Sequence, residues 1–504
     1  MKISYHLIFS VVLIIFSLVT RYLSQYYSVD DPNYRKIHND SKSQIGGAIF
    51  APILIIYFFF YQNVELWFIL CGIVTLLLGM FDDKYTLHWS AKLLFQLLLV
   101  LFLVNYFFGQ ISQIKFFHYT LVLSQLELSL LFTIWFVGVY NAVNLIDGLD
   151  GLASGFVIIV CITLGILNSN TSFSELNFFV SIILVVFLLF NQRPAHIFMG
   201  DAGSLFLGYY CAVLPLLHYD LNHNANSIID MTPFIILFSF LIADTTRVFF
   251  TRILSGKSPM TPDTIHLHHL VLQKSGSYLA TLFVIFFTVF FSGVIIILNS
   301  IFNFSHIGML TYLVLLFLFV LTPPAPTYVS IITKIVDPIY KWNKININNN
   351  KKPYTLIVFI LLSIVLINTF LNVNINSLKV IEILVISISY FILIKINKYK
   401  ISLVGTTQVL LFLFFAGNYS PDNPGFLMQL FILLLLVTLF VALVKGTSNF
   451  RINNFSPLDI IFLLMILSII VLFIFGFQIN IWFFLNAFVI WFGLGFLLAE
   501  KKYL

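Results

Sequence analysis

Long apolar runs alternate with short polar segments along almost the whole chain. Most runs are 16–22 residues long, and a helix of about 20 apolar residues crosses a hydrocarbon core of about 30 Å. Lipid offers the backbone no hydrogen-bond partners, so such runs favour helices. The runs are too long and too uniformly apolar for the alternating strands of a β-barrel. The pattern therefore predicts an all-α polytopic integral membrane protein.

The spacing of the runs predicts about 17 transmembrane helices. An 11-helix core is expected near 4–22, 46–61, 64–80, 91–108, 128–146, 152–168, 176–190, 203–218, 230–250, 277–298 and 306–322. Six further helices are expected near 354–371, 378–394, 401–416, 425–444, 457–476 and 480–499. An Asn-rich polar segment separates the groups, which predicts a membrane core over 1–325, a cytoplasmic linker over 326–353 and an extension of unknown role over 354–504. No small-residue cleavage site follows the first run, so we interpret it as a retained helix rather than a signal sequence.

The placement of charge orients these helices. Cytoplasmic loops of membrane proteins carry an excess of Lys and Arg. With the N-terminus outside, all but three of the 26 Lys and Arg residues fall on the inner side, the exceptions being Lys2, Lys115 and Lys379. The net charge of +6 therefore reflects topology and gives no reason to expect a nucleic acid partner. The three cysteines lie in apolar runs without metal-ligand spacing, which predicts buried free thiols.

Two adjacent carboxylates, Asp82 and Asp83, end the third predicted helix. A carboxylate at the bilayer centre costs about 2.5–3.5 kcal/mol on insertion scales, so the pair is expected at the inner interface. There it could face a ligand, or it could simply end the helix in solvent.

The segment NAVNLIDGLDGLASG follows the fifth predicted helix on the same side. Asn141, Asn144 and Asp147 recur every three residues and so share one stripe of that helix end. Glycines beside Asp147 and Asp150 permit tight backbone turns. Amide and carboxylate oxygens suit a hard cation and a nucleotide, although a helix end capped by Asn and Gly is the alternative.

The segment FMGDAGS places Asp201 between glycines where the eighth predicted helix begins. The free N–H groups of that helix could bind an anion, or Asp201 could cap the helix. Phe198 could stack on a base, but in a chain with 58 Phe residues packing is the simpler interpretation.

The segment HLHH contributes His266, His268 and His269, again on the inner side. A zinc site is one interpretation, but the segment lacks the usual tetrahedral set of ligands. The imidazoles could instead contact phosphate oxygens. On the outer side, partial alternation over 110–127 predicts a short hairpin.

Five segments carry a family resemblance in their order along the chain. They are Gly46-Gly47 after a basic loop, DDKYTLHWSAKLLFQ, NAVNLIDGLDGLASG, FMGDAGS and SPMTPDTIHLHH. Over residues 1 to about 325 the chain resembles the polyprenyl-phosphate N-acetylhexosamine-1-phosphate transferases, and it looks closest to the bacterial undecaprenyl-phosphate N-acetylglucosamine-1-phosphate transferases.

The resemblance implies an activity and its partners. A sugar-1-phosphate would pass from a UDP-N-acetylhexosamine donor to undecaprenyl phosphate, with release of UMP and a requirement for Mg²⁺, or Mn²⁺ in its place. This would be the initiating step of a cell-envelope polysaccharide such as the O-antigen of lipopolysaccharide. The resemblance further implies a multi-pass protein of the bacterial inner membrane with its active site facing the cytoplasm, and it leaves a homodimer open.

The resemblance also implies residue roles. The catalytic residues would be Asp82, Asp83 and Asp201, and the metal ligands Asp201 and Asn144. The substrate-binding residues would be Lys92, Asn141, Asp147, Asp150, Phe198, His266, His268 and His269. Since a phosphate monoester has its second pKa near 6, a base gains little at neutral pH, and we expect at least one of Asp82 and Asp83 to position groups or to support the metal.

Two departures from the family pattern leave the donor sugar open. The first loop reads Ser43-Gln44-Ile45 where relatives often carry proline, and Thr264 stands where many carry arginine. The HLHH form favours a small UDP-HexNAc over a peptide-bearing muramyl donor.

A transporter or flippase of lipid-linked sugars is the rival interpretation, although transporters place polar groups at mid-membrane. A non-catalytic scaffold with relic motifs is a third.

Overall fold

The computed structural model describes residues 42–60, 64–107, 109–117, 119–169, 171–193, 195–221, 227–258 and 264–302, with shorter stretches of 11–30 and 312–320. Its α-helices with described bounds are α1 (Gly46–Phe60), α2 (Leu66–Tyr85), α3 (Trp89–Tyr106), α4 (Gln125–Ile146), α5 (Leu152–Leu167), α6 (Ser172–Asn191), α7 (Gly200–Leu221), α8 (Thr232–Leu254), α9 (Leu267–Ser275) and α10 (Tyr278–Phe302). All of them lie in one compact unit, Tyr22–Thr333. The described residues of 11–20 belong to a second unit, in which Oγ1 of Thr20 donates to the carbonyl of Phe16 at 2.6 Å.

Within the described residues, seven helices are long and apolar enough to cross a membrane: α2, α3, α4, α6, α7, α8 and α10. The shorter helices α1 and α5 are also apolar. This confirms a mainly helical, polytopic membrane protein. The predicted count of about 17 helices is not supported, because the six C-terminal spans, the linker and the extension lie outside the described residues, as do most of 4–22 and 306–322.

Helix α7 is the centre of the bundle and packs against α1, α2 and α4. Glycines make this packing close, since small residues let helix backbones approach. A Cβ on Gly47 of α1 would lie 2.0 Å from the backbone N of Gly203, and a Cβ on Gly79 of α2 would lie 2.5 Å from Cα of Ala202. The glycines therefore bring α1 and α2 against the first turn of α7.

Helix ends follow local capping. At the start of α4, Oε2 of Glu127 accepts from the N–H of Ser124 at 2.8 Å, which completes a capping box. At the end of α2, Thr86 adopts a left-handed conformation and its N–H donates to the carbonyl of Asp82 at 2.8 Å. Gly151, with φ of +74°, precedes α5.

The described residues form two small β-sheets. Strands β1 (Val29–Asp30) and β2 (Lys42–Ser43) form one antiparallel pair. The other sheet covers the end of the bundle where α3 ends and α4 begins. Strands β3 (Gln113–Phe116) and β4 (Tyr119–Val122) are antiparallel, which confirms the predicted hairpin. Strand β5 (Ile228–Asp230) pairs with β3 in parallel, a pairing that the sequence did not predict. Apart from these short strands the described fold is helical, as the predicted all-α class requires.

Candidate functional site

Asp82 lies near the C-terminal end of α2 and is 1 % exposed. Its Oδ1 accepts from the N–H of Leu87 at 2.7 Å, which orders the turn into α3. Lys92, on the first turn of α3, forms an ion pair with Oδ2 of Asp82. The same Nζ atom lies 4.0 Å from Oδ2 of Asp201. Lys92 therefore stands between two of the predicted catalytic carboxylates.

Asp83 makes different contacts from its neighbour in sequence. Its Oδ1 accepts from the N–H of Asp201 at 2.6 Å, and its Oδ2 accepts from the N–H of Ala202 at 3.2 Å. The hydroxyl of Tyr27 donates to Oδ2 at 3.0 Å, and burial together with the Asp83 charge raises the pKa of Tyr27 above its usual value. Asp83 thus caps α7 from another helix. Two N–H groups of the first turn are therefore already occupied, and the cap observed comes from Asp83 rather than from the Asp201 side chain.

Gly200 is the residue that permits this approach. Its φ of +71° is left-handed, and a Cβ there would lie 2.7 Å from the carbonyl of Gln44 and 2.9 Å from Oδ1 of Asp83. The N–H of Gly46 donates to the carbonyl of Phe198 at 3.0 Å, so the paired-glycine and FMGDAGS segments are joined. The stacking role of the half-buried Phe198 ring stays a prediction.

Two asparagines of α4 make distinct contacts. Oδ1 of Asn144 accepts from Oγ of Ser204 at 2.7 Å, and Ser204 lies one turn after Asp201 on α7. Asn144 and Asp201 therefore line the same end of the α4–α7 contact. The amide of Asn141 exchanges two hydrogen bonds with the amide of Gln96, at 2.7 and 3.1 Å. Asn141 thereby joins α4 to α3, and its contact with a nucleotide stays a prediction.

The loop between α4 and α5 carries Asp147 and Asp150. Burial, and then the charges of Asp201, Asp150 and Asp83, together raise the pKa of Asp147 to about 7. In a site of low polarity such charges interact strongly, so the ionisation of Asp147 depends on that of Asp201 and Asp150. Oδ2 of Asp150 instead accepts from the N–H of Ala195 at 3.2 Å and holds the α6–α7 loop.

The three histidines adjoin this loop. A Cβ on Gly148 would lie 2.7 Å from Nε2 of His268 and 3.6 Å from Nε2 of His269. The rings of His266 and His268 are stacked, with centroids 5.9 Å apart. Burial lowers the pKa of His268 to about 3, with smaller contributions from His269 and His266. Among the described residues, Nε2 of His266 and Nε2 of His268 are buried and have no hydrogen-bond partner, which is uncommon for buried polar atoms.

A cavity of about 490 Å³ opens between α3, α4 and α8. Its lining is apolar and includes Phe107, Trp135 and Gly138. It extends from the hairpin to Thr245 and Thr246, in the second half of α8. The cavity therefore lies between the short β-sheet and the middle of α8.

Comparison with known proteins places these contacts in a family. The sequence profile of glycosyl transferase family 4 matches residues 66–218, which run from the start of α2 almost to the end of α7. The chain is similar to the probable undecaprenyl-phosphate N-acetylglucosaminyl 1-phosphate transferase of Bacillus subtilis, with 33 % identity over 301 residues, 57 % of this chain and 82 % of the relative. The chain belongs to glycosyl transferase family 4. This confirms the family resemblance read from the five segments.

Two further relatives are similar at lower identity. Both are named undecaprenyl-phosphate alpha-N-acetylglucosaminyl 1-phosphate transferase. The protein of Thermotoga maritima is 30 % identical over 283 residues, 56 % of this chain and 83 % of the relative. The protein of Salmonella typhi is 26 % identical over 260 residues, 49 % of this chain and 69 % of the relative.

The structure adds three polar residues to the site of this family member. Gln96 pairs with Asn141, and Asp244 lies 2.9 Å from His266. Asn191 accepts from the N–H of Gly151 at 2.8 Å and donates to a carbonyl of the loop before α7. Each of the three is a single polar residue in or at the end of an apolar run, and that is the signal that could have found them.

Proposed function

We propose that this member of glycosyl transferase family 4 transfers N-acetylglucosamine-1-phosphate from its UDP derivative to undecaprenyl phosphate and releases UMP. The observation that carries the proposal is the position of Lys92 between Asp82 and Asp201. The names of the three relatives support the substrates. The family membership and the placement of Lys and Arg support a bacterial inner membrane protein whose site faces the cytoplasm.

The reaction joins two anions, so its main cost is electrostatic. An oxygen of the lipid phosphate attacks the sugar-bearing phosphorus of the UDP-sugar. The bond from that phosphorus to the bridging oxygen breaks, and UMP departs with this oxygen. The Lys92 ammonium lies where it can offset the charge of both phosphates, as cationic groups do in other phosphoryl transfers.

The proposal needs no strong base. A phosphate monoester has its second pKa near 6 and is largely dianionic at pH 7. Both carboxylate oxygens of Asp83 are already engaged by the first turn of α7 and by Tyr27. Asp83 therefore acts by holding the helix that carries Asp201, while Asp82 holds Lys92.

Mg²⁺, or Mn²⁺ in its place, would be held by Asp201 with Asn144 as the second protein ligand. Within the described part of the chain, no three His, Cys, Asp or Glu side chains form a group that could hold a metal. Mg²⁺ commonly takes only one or two carboxylates together with substrate phosphates, and the oxygens of Asp201 and Asn144 fit that mode. When bound, the ion would supply positive charge to the diphosphate.

The other substrate contacts follow the geometry of the site. Asp147 and the buried Nε2 atoms of His266 and His268 would contact the sugar nucleotide, since Gly148 adjoins the histidines. The isoprenoid chain of the acceptor would occupy the apolar cavity beside α4, because an apolar chain is stabilised by leaving water for such a surface.

A defined assay tests the proposal. Purified protein is incubated with undecaprenyl phosphate, Mg²⁺ and a panel of UDP-sugars, and UMP and lipid-linked sugar are measured. We expect equal amounts of both products with UDP-N-acetylglucosamine. The proposal is contradicted if folded protein releases UMP from none of the UDP-sugars tested. Movement of lipid-linked sugar across vesicle membranes without UMP release would support the transporter interpretation instead.

A further inference from the structure

Asp244 is a buried carboxylate of α8 that the proposed reaction does not use. It is 6 % exposed. Its Oδ1 accepts from the N–H of Leu267 at 3.1 Å and from Nη2 of Arg247 at 2.7 Å. Its Oδ2 lies 2.9 Å from Nδ1 of His266. Asp244 thus holds both the start of α9 and the ring of the first histidine in the HLHH segment.

The chemistry of this contact determines which ring nitrogen carries the proton. An ionised carboxylate accepts hydrogen bonds and cannot donate them, so Nδ1 of His266 must be protonated. Arg247 also donates to the carbonyl of Ile265 at 2.6 Å, which fixes the backbone just before the ring. Nε2 of His266 is left buried with no hydrogen-bond partner among the described residues.

We propose that Asp244 is a positioning residue, which acts through His266 and holds that ring with Nδ1 protonated and Nε2 directed to the sugar nucleotide. The inference rests on the proposed function. The stacked ring of His268 and the adjoining Gly148 place His266 beside the loop that carries Asp147. A ring turned over by 180° would lose its bond to Asp244 and would present Cε1 in place of Nε2 to the substrate.

Asp244→Asn is the decisive variant, because asparagine keeps the shape and can still accept from Leu267 and Arg247. Its amide can also donate to Nδ1 of His266, which favours the opposite tautomer, as an Asp-to-Asn change does in other Asp–His pairs. We expect kcat to fall about 10- to 100-fold, with KM for undecaprenyl phosphate unchanged. In ¹⁵N NMR spectra of histidine-labelled protein, the His266 proton should move from Nδ1 to Nε2, with His266→Gln giving the assignment.

Asp230→Asn is the matched control. Oδ1 of Asp230 accepts from the N–H of Thr232 at 2.9 Å, at the start of α8, and its Oδ2 lies 3.0 Å from Nζ of Lys115. It therefore has the same kinds of contact as Asp244 but lies in the outer sheet. We expect neither the rate nor the histidine spectrum to change. If Asp244→Asn does not fold, Asp244→Glu retains a carboxylate and should retain the Nδ1-protonated signal.

A double variant separates a positioning role from a purely structural one. Because Asp244 acts through His266, adding Asp244→Asn to His266→Gln should cause no further loss of rate. A full further loss overturns the inference, and so does a wild-type spectrum with the proton on Nε2. The NMR spectrum does not depend on turnover. If the protein is inactive on every UDP-sugar, the proposed function is refuted, and the spectrum still tests whether Asp244 fixes the tautomer of His266.

Discussion

The side chain of Asp83 accepts the backbone N–H of Asp201 at 2.6 Å, although the two residues are 118 positions apart. The DDK and FMGDAGS segments are therefore coupled through the cap of α7. Capping saturates the N–H groups that would otherwise be left free at the start of a helix. The geometry makes Asp83 part of the support for Asp201, and this distinguishes it from Asp82.

Asp201→Asn is expected to lower turnover by at least about 100-fold, since changes even behind a metal ligand cost about 10- to 100-fold. UMP release at saturating Mg²⁺ measures the effect. The backbone N–H that Asp83 accepts is unchanged in this variant, so the thermal unfolding temperature should be close to that of the wild type. A substantial residual rate at high Mg²⁺ would refute the assignment of Asp201 as a metal ligand.

Asp83→Ala is expected to lower the free energy of unfolding by about 1–2 kcal/mol, because it removes a helix cap. Asp83→Asn retains an accepting oxygen and should lose less stability and less activity than the alanine variant. Thermal unfolding and UMP release are measured for both. If the two variants lose activity equally while only the alanine variant is destabilised, Asp83 has a chemical role beyond the cap.

Asp147→Asn is expected to stabilise the protein above about pH 7. The pKa of Asp147 is raised from 3.8 to about 7 by burial and then by neighbouring charges. Its contribution to stability is therefore fully present below pH 3.8 and is lost as the pH rises through about 7. The increase in unfolding temperature of the variant over the wild type should become smaller as the pH falls. Thermal unfolding across this range, without metal or nucleotide, checks the sign, with Asp230→Asn as the control.

His268→Gln should change the pH dependence of stability in the opposite direction to Asp147→Asn. Burial lowers the pKa of His268 from 6.5 to about 3. The neutral ring contributes stability that is fully present above pH 6.5 and is lost progressively as the pH falls towards 3. The unfolding temperature of the variant should therefore fall less steeply on acidification than that of the wild type. An equally steep fall in both proteins would contradict the buried, neutral ring.

Gly138→Phe tests the apolar cavity as the site of the isoprenoid chain. A Cβ on Gly138 would meet nothing within 4 Å, so the larger side chain can enter the cavity without a backbone clash. We expect a raised KM for undecaprenyl phosphate, little change for a short-chain prenyl phosphate, and an unchanged KM for the donor. Gly138→Ala is the control and should behave as wild type. Equal effects on long and short acceptors would argue against this placement of the chain.

Cysteine labelling tests the orientation. Lys84→Cys and Lys274→Cys replace exposed residues at the ends of α2 and α9, and Val122→Cys replaces a residue of β4 that is 75 % exposed. The three native cysteines are free and buried, so they provide little background. A membrane-impermeant thiol reagent applied to the cytoplasmic face should label the first two variants, and the same reagent applied outside should label the third. If Lys84→Cys and Lys274→Cys were labelled from opposite faces, the segments of the proposed site would lie on opposite sides of the membrane, and the site as described would be refuted.

Sequence reasoning predicted the features that depend on a single segment, and it predicted from charge placement that the polar segments share one face. The expected helix at 152–168 is observed as Leu152–Leu167, and the hairpin within 110–127 is observed as β3 and β4. The five segments were also expected on one face, and Lys92, Ser204 and Gly148 make the contacts that join them.

The features that were missed depend on contacts between distant segments. The cap of α7 comes from Asp83 on another helix, and no local pattern near Gly200 indicates it. The parallel β3–β5 pair joins segments on either side of four helices, α4 to α7. Asp244 lies inside an apolar run, where one carboxylate does not interrupt a span, and only its partner His266 gives it a role.

The cavity beside α4 has a consequence for how the acceptor is supplied. Leu131 and Ile134 line it and are themselves exposed, at 46 % and 71 %, so it has an opening on the lateral face of α4. An isoprenoid carrier that enters there travels by two-dimensional diffusion and never crosses water. Its effective concentration is then its density per unit area of bilayer. Adding other lipids while the total amount of carrier is held constant should therefore slow the enzyme.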